Sequence, residues 1–397
     1  MIVGEFLEWM ESAPPEKRAD AVRSLAQSYL EPDIEDEARS AIESALTVAL
    51  DDHEPEVRFA VADVFGDSPA APRHIIIALA ADSADIAGYV LARSPIFIDV
   101  ELAGIAAAAE CALQAAVASR PRVSKTVAAA LAEAGEQEAC MALLRNPGAA
   151  IARISFLRMA QRFGGDTEIR EALIARRDLP PDVRQLLVRA VGNALGNLAM
   201  VKQWLPEARA KALTGDACDR ATVAIAAESE THELPALVEH LRATEQLTTA
   251  LLLRAVCAGN IAFFETALAM LARVPVERVV ALVRGGRVSA LRAAYTRAGL
   301  PPMAFDAFAA ALDAWRNLDP ESGSFNRYRL TMQAVEAVLT RYADITDGEA
   351  NELAAMLRRF AADQAREAAR ETARGYARDG ASPEDPATDA NEAAEAA

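Results

Sequence analysis

Apolar residues recur at helical spacing over most of the chain. Between about Glu37 and Asn317 they fall at positions i, i+3, i+4 and i+7 of short segments, and clusters of Gly, Pro or Asp separate those segments. Long runs of alternating apolar and polar residues do not occur, and neither does the Asn-Gly pair that is typical of tight hairpins. The pattern therefore predicts an all-α protein built from short helices joined by short loops.

The loops between the predicted helices recur at a regular interval. Five loop-and-helix segments begin at Gly66, Ala92, Ala118, Leu144 and Ala175, so that successive starts lie 26, 26, 26 and 31 residues apart. This interval suits two short helices per unit. Such a unit cannot bury its apolar face alone, so neighbouring units share a core and expose a long curved surface. We therefore predict an α-solenoid of short HEAT-like helical repeats followed by a helical C-terminal block.

Changes of character along the chain predict five parts. We expect N-terminal helices in residues 1–30 and degenerate helical repeats in residues 31–230. A second helical block, with longer apolar helices and more phenylalanine, is expected in residues 231–318 as a continuation of the array. A C-terminal helix pair is expected in residues 319–378. Residues 379–397 are small, acidic and punctuated by proline, which predicts a disordered tail.

The charge of the chain narrows the class of partner. The 397 residues carry a formal net charge of −17, and such a chain repels nucleic acid and anionic lipid unless its cations form patches. The longest uncharged run, residues 190–201, is shorter than the roughly 20 residues that span a bilayer. The N-terminal segment carries acids where a secretory signal needs positive charge. We expect a cytoplasmic protein with protein partners and without a membrane span.

Four segments carry a resemblance to a known family. They are DDHEPEVRFAVADVF from Asp51, APRHIIIALA from Ala71, LARSPIF from Leu91, and LLLRAVCAGNIAFFETALAMLARVPVERVVALVRGG from Leu251. Together they resemble the domain-of-unknown-function 2336 family of bacteria, which is built of HEAT-like or leucine-rich-repeat-variant helical units, over roughly residues 51–312. The resemblance implies a helical solenoid. It implies no activity, catalytic residue or cofactor.

Sequence motifs for catalysis and metal binding do not occur. The chain contains no GxGxxG, Walker-type GxxxxGK[ST], GxSxG or kinase pattern. His232 and Glu233 begin like a zinc-protease helix, but Ala236 stands where the second histidine belongs and Pro235 interrupts the helix. The four cysteines form no CxxC pair, which predicts buried free thiols. We expect neither enzyme activity nor a cofactor or metal.

An acidic segment is the first candidate binding region. Between residues 31 and 67, twelve acids stand against two arginines. The candidate acidic partner surface consists of Asp51, Asp52, Glu54 and Glu56. These acids do not match a calcium-binding loop, because the glycine at the sixth position and the closing glutamate are missing. An acidic loop between repeats, with an aspartate capping a helix, is the alternative interpretation.

An arginine-rich segment is the second candidate. Between residues 271 and 300, six arginines stand against one glutamate. Two glycines precede a helix whose first amide groups are unpaired, which favours binding of a phosphate or carboxylate between flanking arginines. The candidate anion or partner site comprises Arg278, Arg284, Gly285, Gly286, Arg287 and Arg292. Alternatively, Gly285 is a helix C-cap, Gly286 is a loop residue, and the arginines are solvated or paired with neighbouring acids.

A third group of arginines lies in the middle repeats. Stacked repeats place equivalent positions on one face, so these arginines form a basic stripe if they align, and solvated outer-face positions are the alternative. The group consists of Arg145, Arg153, Arg158, Arg162, Arg170, Arg176, Arg177, Arg184 and Arg189.

Three functions are compatible with these features. The first is a cytoplasmic protein-binding scaffold or regulatory adaptor, whose acidic and basic regions contact oppositely charged partners or pair head to tail in a homo-oligomer. The second is a nucleic-acid-binding helical repeat using the arginine stripe, which the net acidity and the few aromatic residues disfavour. The third is a sensor of small anions or nucleotides near Arg284.

Overall fold

The all-α prediction is confirmed in a computed structural model of the chain. The structure describes residues 2–198, 206–316 and 324–341, and the shorter stretches 354–355, 357–362, 365–366, 369–370 and 373. Over these residues no β-strand forms, and the backbones of Val123 and Ala149 make an isolated parallel bridge. The second helix of the predicted C-terminal pair lies mostly outside the described residues. The predicted tail, residues 379–397, lies wholly outside them.

The chain divides into two compact units, Met1–Asn197 and Leu198–Ala397. The first unit contains α1 (Ile2–Ser12), α2 (Pro15–Tyr29), α3 (Asp36–Ala49), α4 (Pro55–Phe65), α5 (Arg73–Leu79), α6 (Ala84–Arg93), α7 (Asp99–Ala108), α8 (Cys111–Ala118), α9 (Lys125–Ala134), α10 (Gln137–Arg145), α11 (Arg153–Phe163), α12 (Thr167–Ala175) and α13 (Pro181–Asn197). The residue boundaries predicted for the five parts of the chain remain predictions.

Helices of the first unit repeat in pairs from α5 onwards. The first helices of successive pairs begin at Arg73, Asp99, Lys125, Arg153 and Pro181, which are 26, 26, 28 and 28 residues apart. From α6 onwards each helix packs on the helix two positions further along: α7 on α9 and α9 on α11 in one layer, and α6 on α8, α8 on α10 and α10 on α12 in the other. This packing is compatible with the predicted α-solenoid.

A continuous hydrophobic core runs through the first unit from Ala19 to Leu187. Its residues are mostly small or aliphatic, and each helix contributes a short buried stripe, such as Val127 and Leu131 on α9. The start of α9 is set by the Ser124 side chain, which accepts a hydrogen bond from the backbone amide of Val127. Because two short helices cannot cover both of their apolar stripes alone, each pair depends on the neighbouring pairs to bury them.

Polar side chains bind the end of one repeat to the next. Arg120, which follows α8, donates hydrogen bonds to the carbonyl oxygens of Leu91 and Ser94 at the end of α6. Asn146, which follows α10, donates to the carbonyl oxygens of Ala118 and Arg120 at 2.8 and 2.7 Å. The last carbonyl groups of a helix have no partner within it, so these side chains satisfy groups that the fold would otherwise leave unpaired.

The same arrangement occurs once more along the stack. Arg176, which follows α12, donates to the carbonyl oxygens of Asn146 and Ala149 at 2.7 and 3.0 Å. We call Arg120, Asn146 and Arg176 the carbonyl ladder. Each of its side chains reaches back 26 to 30 residues along the chain. The ladder therefore fixes the register of neighbouring repeats as well as supporting the helix ends.

The second unit contains α14 (Glu207–Glu228), α15 (Leu234–Ala243), α16 (Thr249–Cys257), α17 (Ile261–Ala272), α18 (Val276–Arg284), α19 (Val288–Arg297), a short 3-10 helix (Pro302–Ala304), α20 (Phe305–Arg316) and α21 (Ser324–Arg341). The expectation of longer helices in residues 231–318 is wrong, because α15 to α20 have only 9 to 12 residues each. Glycine and proline between the helices interrupt the apolar run. Among the described helices the longest is α14, with 22 residues.

An aromatic core holds the second unit together. The rings of Phe264 and Phe308 stack with centroids 5.1 Å apart, and Tyr295 packs against Phe305 and Phe308. Helix α17 lies in the middle of this core and contacts α15, α16, α18 and α19. Arg254 on α16 is 2% exposed and forms an ion pair with Asp216 on α14. The phenylalanines that the sequence assigned to this block therefore form its interior.

We predict that Arg120→Met destabilises the protein by about 1–3 kcal/mol, because it leaves the buried carbonyl groups at the end of α6 without a donor. Arg122→Met is a matched control: Arg122 lies two residues further along, is exposed, and makes no ion pair or side-chain hydrogen bond to a described residue. Urea unfolding measures both variants. An equal loss of stability in the two would show that the ladder contact contributes nothing of its own.

Candidate functional site

The predicted arginine site is a turn between two helices of the second unit. Helix α18 ends at Arg284, and Gly285 follows it as the C-cap with a right-handed backbone. Gly286 has φ +62°, a left-handed conformation that L side chains rarely adopt. Arg287 is then the N-cap of α19, and no side chain caps that helix. The glycine part of the alternative interpretation is correct, since Gly285 is a C-cap and Gly286 a loop residue.

Arg292 is engaged within the fold. Its guanidinium donates to the carboxylate of Asp306 at 2.9 Å and lies 4.2 Å from the centre of the Phe305 ring. Arg316 is similarly occupied, since it donates to the carbonyl oxygen of Val283 near the end of α18 at 2.7 Å. Arg292 therefore links α19 to α20, and Arg316 links α20 to the end of α18. Arg292 is therefore less available to an external anion than the sequence predicts.

Arg278, Arg284 and Arg287 remain as the accessible cations of the predicted site. All three are exposed, and none forms an ion pair with a residue in the part of the chain that the structure describes. Arg284 lies close enough to Glu265 to favour the ionised carboxylate, although burial raises the pKa of Glu265 overall. Arg284 and Arg287 flank the turn between α18 and α19, whereas Arg278 lies in the first turn of α18, six residues before Arg284.

The predicted acidic surface is divided between an internal ion pair and exposed carboxylates. Arg18 on α2 binds both carboxylate oxygens of Asp52, at 2.7 and 2.8 Å. The backbone amide of Glu54 donates a third hydrogen bond to Asp52. Burial pushes the pKa of Asp52 up, but these hydrogen bonds outweigh burial and hold the pKa below its ordinary value of 3.8. Asp52 therefore serves the packing of α2.

The other three acids are exposed, and one of them, Asp51, lines a groove. Asp51, Glu54 and Glu56 are exposed, and no described residue forms an ion pair with them. Asp51 and Asp52 line a groove of about 540 Å³ whose apolar surface includes Met10 and Val48. Glu54 and Glu56 are not among its lining residues. Any binding role of these four acids stays a prediction.

Most arginines of the middle repeats make contacts between helices. Arg153 pairs with the buried Asp182 at 2.7 Å and Arg158 pairs with Glu133 at 2.8 Å. Arg162 donates to the carbonyl oxygen of Ala132 at 2.8 Å. Arg170 and the ladder residue Arg176 also donate to backbone carbonyl groups. These side chains therefore hold the repeats together, an arrangement that neither the basic stripe nor the solvated alternative anticipates.

A larger groove crosses two successive repeats in the first unit. Its volume is about 730 Å³, and it lies between the end of α10 and the outer side of α12. Charged residues of both signs line it, together with small apolar residues; they include Leu144, Arg145, Glu168, Glu171, Ala172 and Arg177. Arg145 and Arg177 are among the arginines singled out from the sequence, whereas Glu168 and Glu171 are not. Their i, i+3 spacing on one helix shortly before Arg177 was the available signal.

The side chains that commonly carry chemistry are dispersed. All four cysteines are free; Cys140, Cys218 and Cys257 are buried as predicted, whereas Cys111 is half-buried, so the prediction is wrong there. Burial raises the pKa of Cys140 to about 11 and that of Cys257 to about 12, which keeps both thiols protonated at neutral pH. No three His, Cys, Asp or Glu side chains converge on a possible metal position in the described ranges. Nor does any described helix combine the length and apolarity needed to cross a membrane.

We predict that Asp52→Asn lowers stability at neutral pH by about 1–3 kcal/mol, because Arg18 loses its charged partner. The Asp52 pKa is depressed in the folded state, so its contribution is present above the ordinary pKa of 3.8 and is lost as the pH falls through the folded value. Thermal unfolding between pH 7 and pH 3 should therefore show the gap between wild type and variant closing. Asp51→Asn, at the neighbouring exposed carboxylate, should show no gap at either pH.

Comparison with known proteins places the chain in a family. The profile of a family described as an uncharacterised protein conserved in bacteria (DUF2336) matches residues 86–348. No curated protein and no solved structure is significantly similar to the chain. The match begins after the segments at Asp51 and Ala71 and continues into α21, so it lies further along the chain than the resemblance suggested. Because the match covers more than half of the 397 residues, the chain belongs to the DUF2336 family of uncharacterised bacterial proteins.

Proposed function

We propose that the chain is a cytoplasmic protein-binding scaffold without catalytic activity of its own, and that its second unit holds an acidic partner protein. The binding surface in this proposal consists of Arg278, Arg284 and Arg287 together with Val276 and Val288, and we call it the arginine surface. The observation that carries the proposal is the exposure of three guanidinium groups without an ion pair to any described residue.

The arginines of this surface are unpaired cations on an acidic chain. The sequence has 58 acids against 41 lysines and arginines, yet Arg278, Arg284 and Arg287 have no described ion-pair partner, whereas Arg292 and Arg316 on the neighbouring helices do. A local excess of positive charge on an acidic protein attracts acidic surfaces and repels further cations. It therefore favours an acidic partner and specifies which side of the second unit that partner approaches.

Exposed aliphatic residues accompany the charges. Val276 is 37% exposed at the start of α18, and Val288 is 47% exposed at the start of α19. Helix α18 buries Val279 and Val283, whereas Arg278 and Arg284 lie among its exposed residues. Arginine is enriched in protein interfaces, and apolar contacts supply affinity that exposed charges alone do not. The combination supports a protein partner more than a free ion.

Photocrosslinking from the surface itself tests the proposal. A photoreactive amino acid replaces Ala281, which is exposed on α18 between Arg278 and Arg284, and a matched protein carries it at the exposed Ala208 of α14. In the native cell, we expect position 281 and not position 208 to crosslink an acidic protein. Purified and labelled, that protein should bind more weakly as salt increases.

Charge reversal provides the quantitative control. Arg278→Glu, Arg284→Glu and Arg287→Glu in combination should weaken binding of the crosslinked partner by about tenfold or more, because attraction becomes repulsion. Arg209→Glu removes a similarly exposed arginine from α14 and should leave the affinity unchanged. Equal affinity in the triple variant and the control would contradict the proposed surface.

A small-anion sensor is the second candidate, because the left-handed Gly286 and the uncapped start of α19 lie beside the same arginines. In this case inorganic phosphate, pyrophosphate or a cyclic dinucleotide should stabilise the protein by about 2.7 kcal/mol at a hundred times its dissociation constant. Thermal unfolding with and without each compound measures the effect. Stabilisation that disappears in the triple variant would favour the sensor over the scaffold.

A further inference from the structure

The groove between α10 and α12 in the first unit carries charges that the protein itself does not neutralise. Arg145 ends α10 and Arg177 follows α12, while Glu168 and Glu171 lie on the first two turns of α12. All four side chains are exposed, and none forms an ion pair or hydrogen bond with a residue in the described parts of the chain. Opposite charges line one groove without pairing with each other.

The charges are ordered along the groove. The glutamates occupy the N-terminal half of α12, Ala172 and Ala175 follow, and the arginines lie at the C-terminal ends of α10 and α12. A rise of 1.5 Å per residue places Ala175, the last residue of α12, roughly 6 Å beyond Glu171 and roughly 10 Å beyond Glu168, and Arg177 lies two residues past that end. An extended peptide of about three to four residues spans roughly 10–13 Å, which is comparable with the distance from the glutamates to the arginine end. An extended peptide that carries a basic and an acidic residue at that spacing therefore complements the charges of the groove.

The floor of the groove is apolar and firmly held. Leu144 and Ala149 are buried beneath it. Arg176 is 12% exposed and joins the two loops at its arginine end, since it donates to the carbonyl oxygens of Asn146 and Ala149 and pairs with Asp178 at 2.8 Å. A groove fixed by such contacts does not have to be ordered when a ligand binds, which lowers the cost of binding.

The exposure of the lining residues favours a peptide over an enclosed small molecule. Seven of the eleven lining residues are exposed, including Pro147 and the four unpaired charged residues. Sites for small molecules bury most of the ligand surface, which an open groove cannot do. An extended segment can enter and leave such a groove at both ends while its side chains reach the charged rims.

We propose that this groove binds an extended segment of a protein partner, in which a basic residue and an acidic residue stand three or four positions apart with small apolar residues between them. The basic side chain contacts Glu168 and Glu171, the acidic side chain contacts Arg145 and Arg177, and the apolar residues cover Ala172 and Ala175. The site is separate from the arginine surface, so it provides the scaffold with a second, differently charged contact.

Synthetic peptides of nine residues test the inference on the full chain. One set carries a lysine and an aspartate separated by one to six alanine or leucine residues, in both orders. Control peptides replace both charged residues by lysine, by aspartate or by serine. Fluorescence anisotropy should show a maximum of affinity at a separation of three or four positions and a preference for one order. Equal affinity for charged and serine peptides would overturn the inference.

Two variants of the groove and one control complete the test. Arg145→Glu with Arg177→Glu should weaken binding of the best peptide by about tenfold or more and improve binding of the two-lysine peptide. Ala175→Trp fills the groove at an exposed position and should abolish both interactions. Arg209→Glu and the triple variant of the arginine surface should bind as the wild type does. Unchanged binding in both groove variants would place the peptide elsewhere and overturn the assignment, and so would equal binding of a lysine–aspartate dipeptide.

Discussion

The first unit depends on hydrogen bonds that satisfy the ends of its helices. Short helices have proportionally many unpaired carbonyl groups, because the last four of each helix lack an internal partner whatever the length of the helix. A stack of helices of about ten residues therefore contains many such ends, packed against neighbours and partly withdrawn from water. The carbonyl ladder of Arg120, Asn146 and Arg176 supplies donors where the next repeat begins. The repeats can pack through small apolar side chains because the carbonyl groups at these helix ends have hydrogen-bond donors.

Several arginines of this acidic protein are used inside the fold and do not add free positive charge to its surface. In the first unit the guanidinium groups of Arg18 and Arg58 hold Asp52 and Asp82, and each also reaches a backbone carbonyl group. Arginine suits this work because its planar group donates in several directions while keeping its charge. Arg145 and Arg177 in one unit and the arginine surface in the other have no such partner among the described residues.

The fold was largely readable from the sequence, whereas the sites were readable only in part. Helical spacing and an interval of 26 residues predicted paired helices because both depend on local pattern. Partners distant in the chain were beyond this reasoning: Arg18 meets Asp52 34 residues away, and Arg292 meets Asp306 14 residues away. A local count of charges therefore overestimated how free Asp52 and Arg292 are. The groove was missed for the same reason, since two repeats contribute its rims.

The carbonyl ladder also has a direction. In each of its contacts the later repeat donates and the earlier repeat accepts, so the end of one repeat is completed by the repeat that follows it. The direction belongs to the ladder and not to the whole first unit, since Arg73 on α5 donates to the carbonyl oxygen of Ile96 in the repeat that follows. A chain that stopped between two repeats would end with carbonyl groups that lack a donor side chain. A chain that lacked its first repeats would begin with donor side chains that lack a carbonyl acceptor.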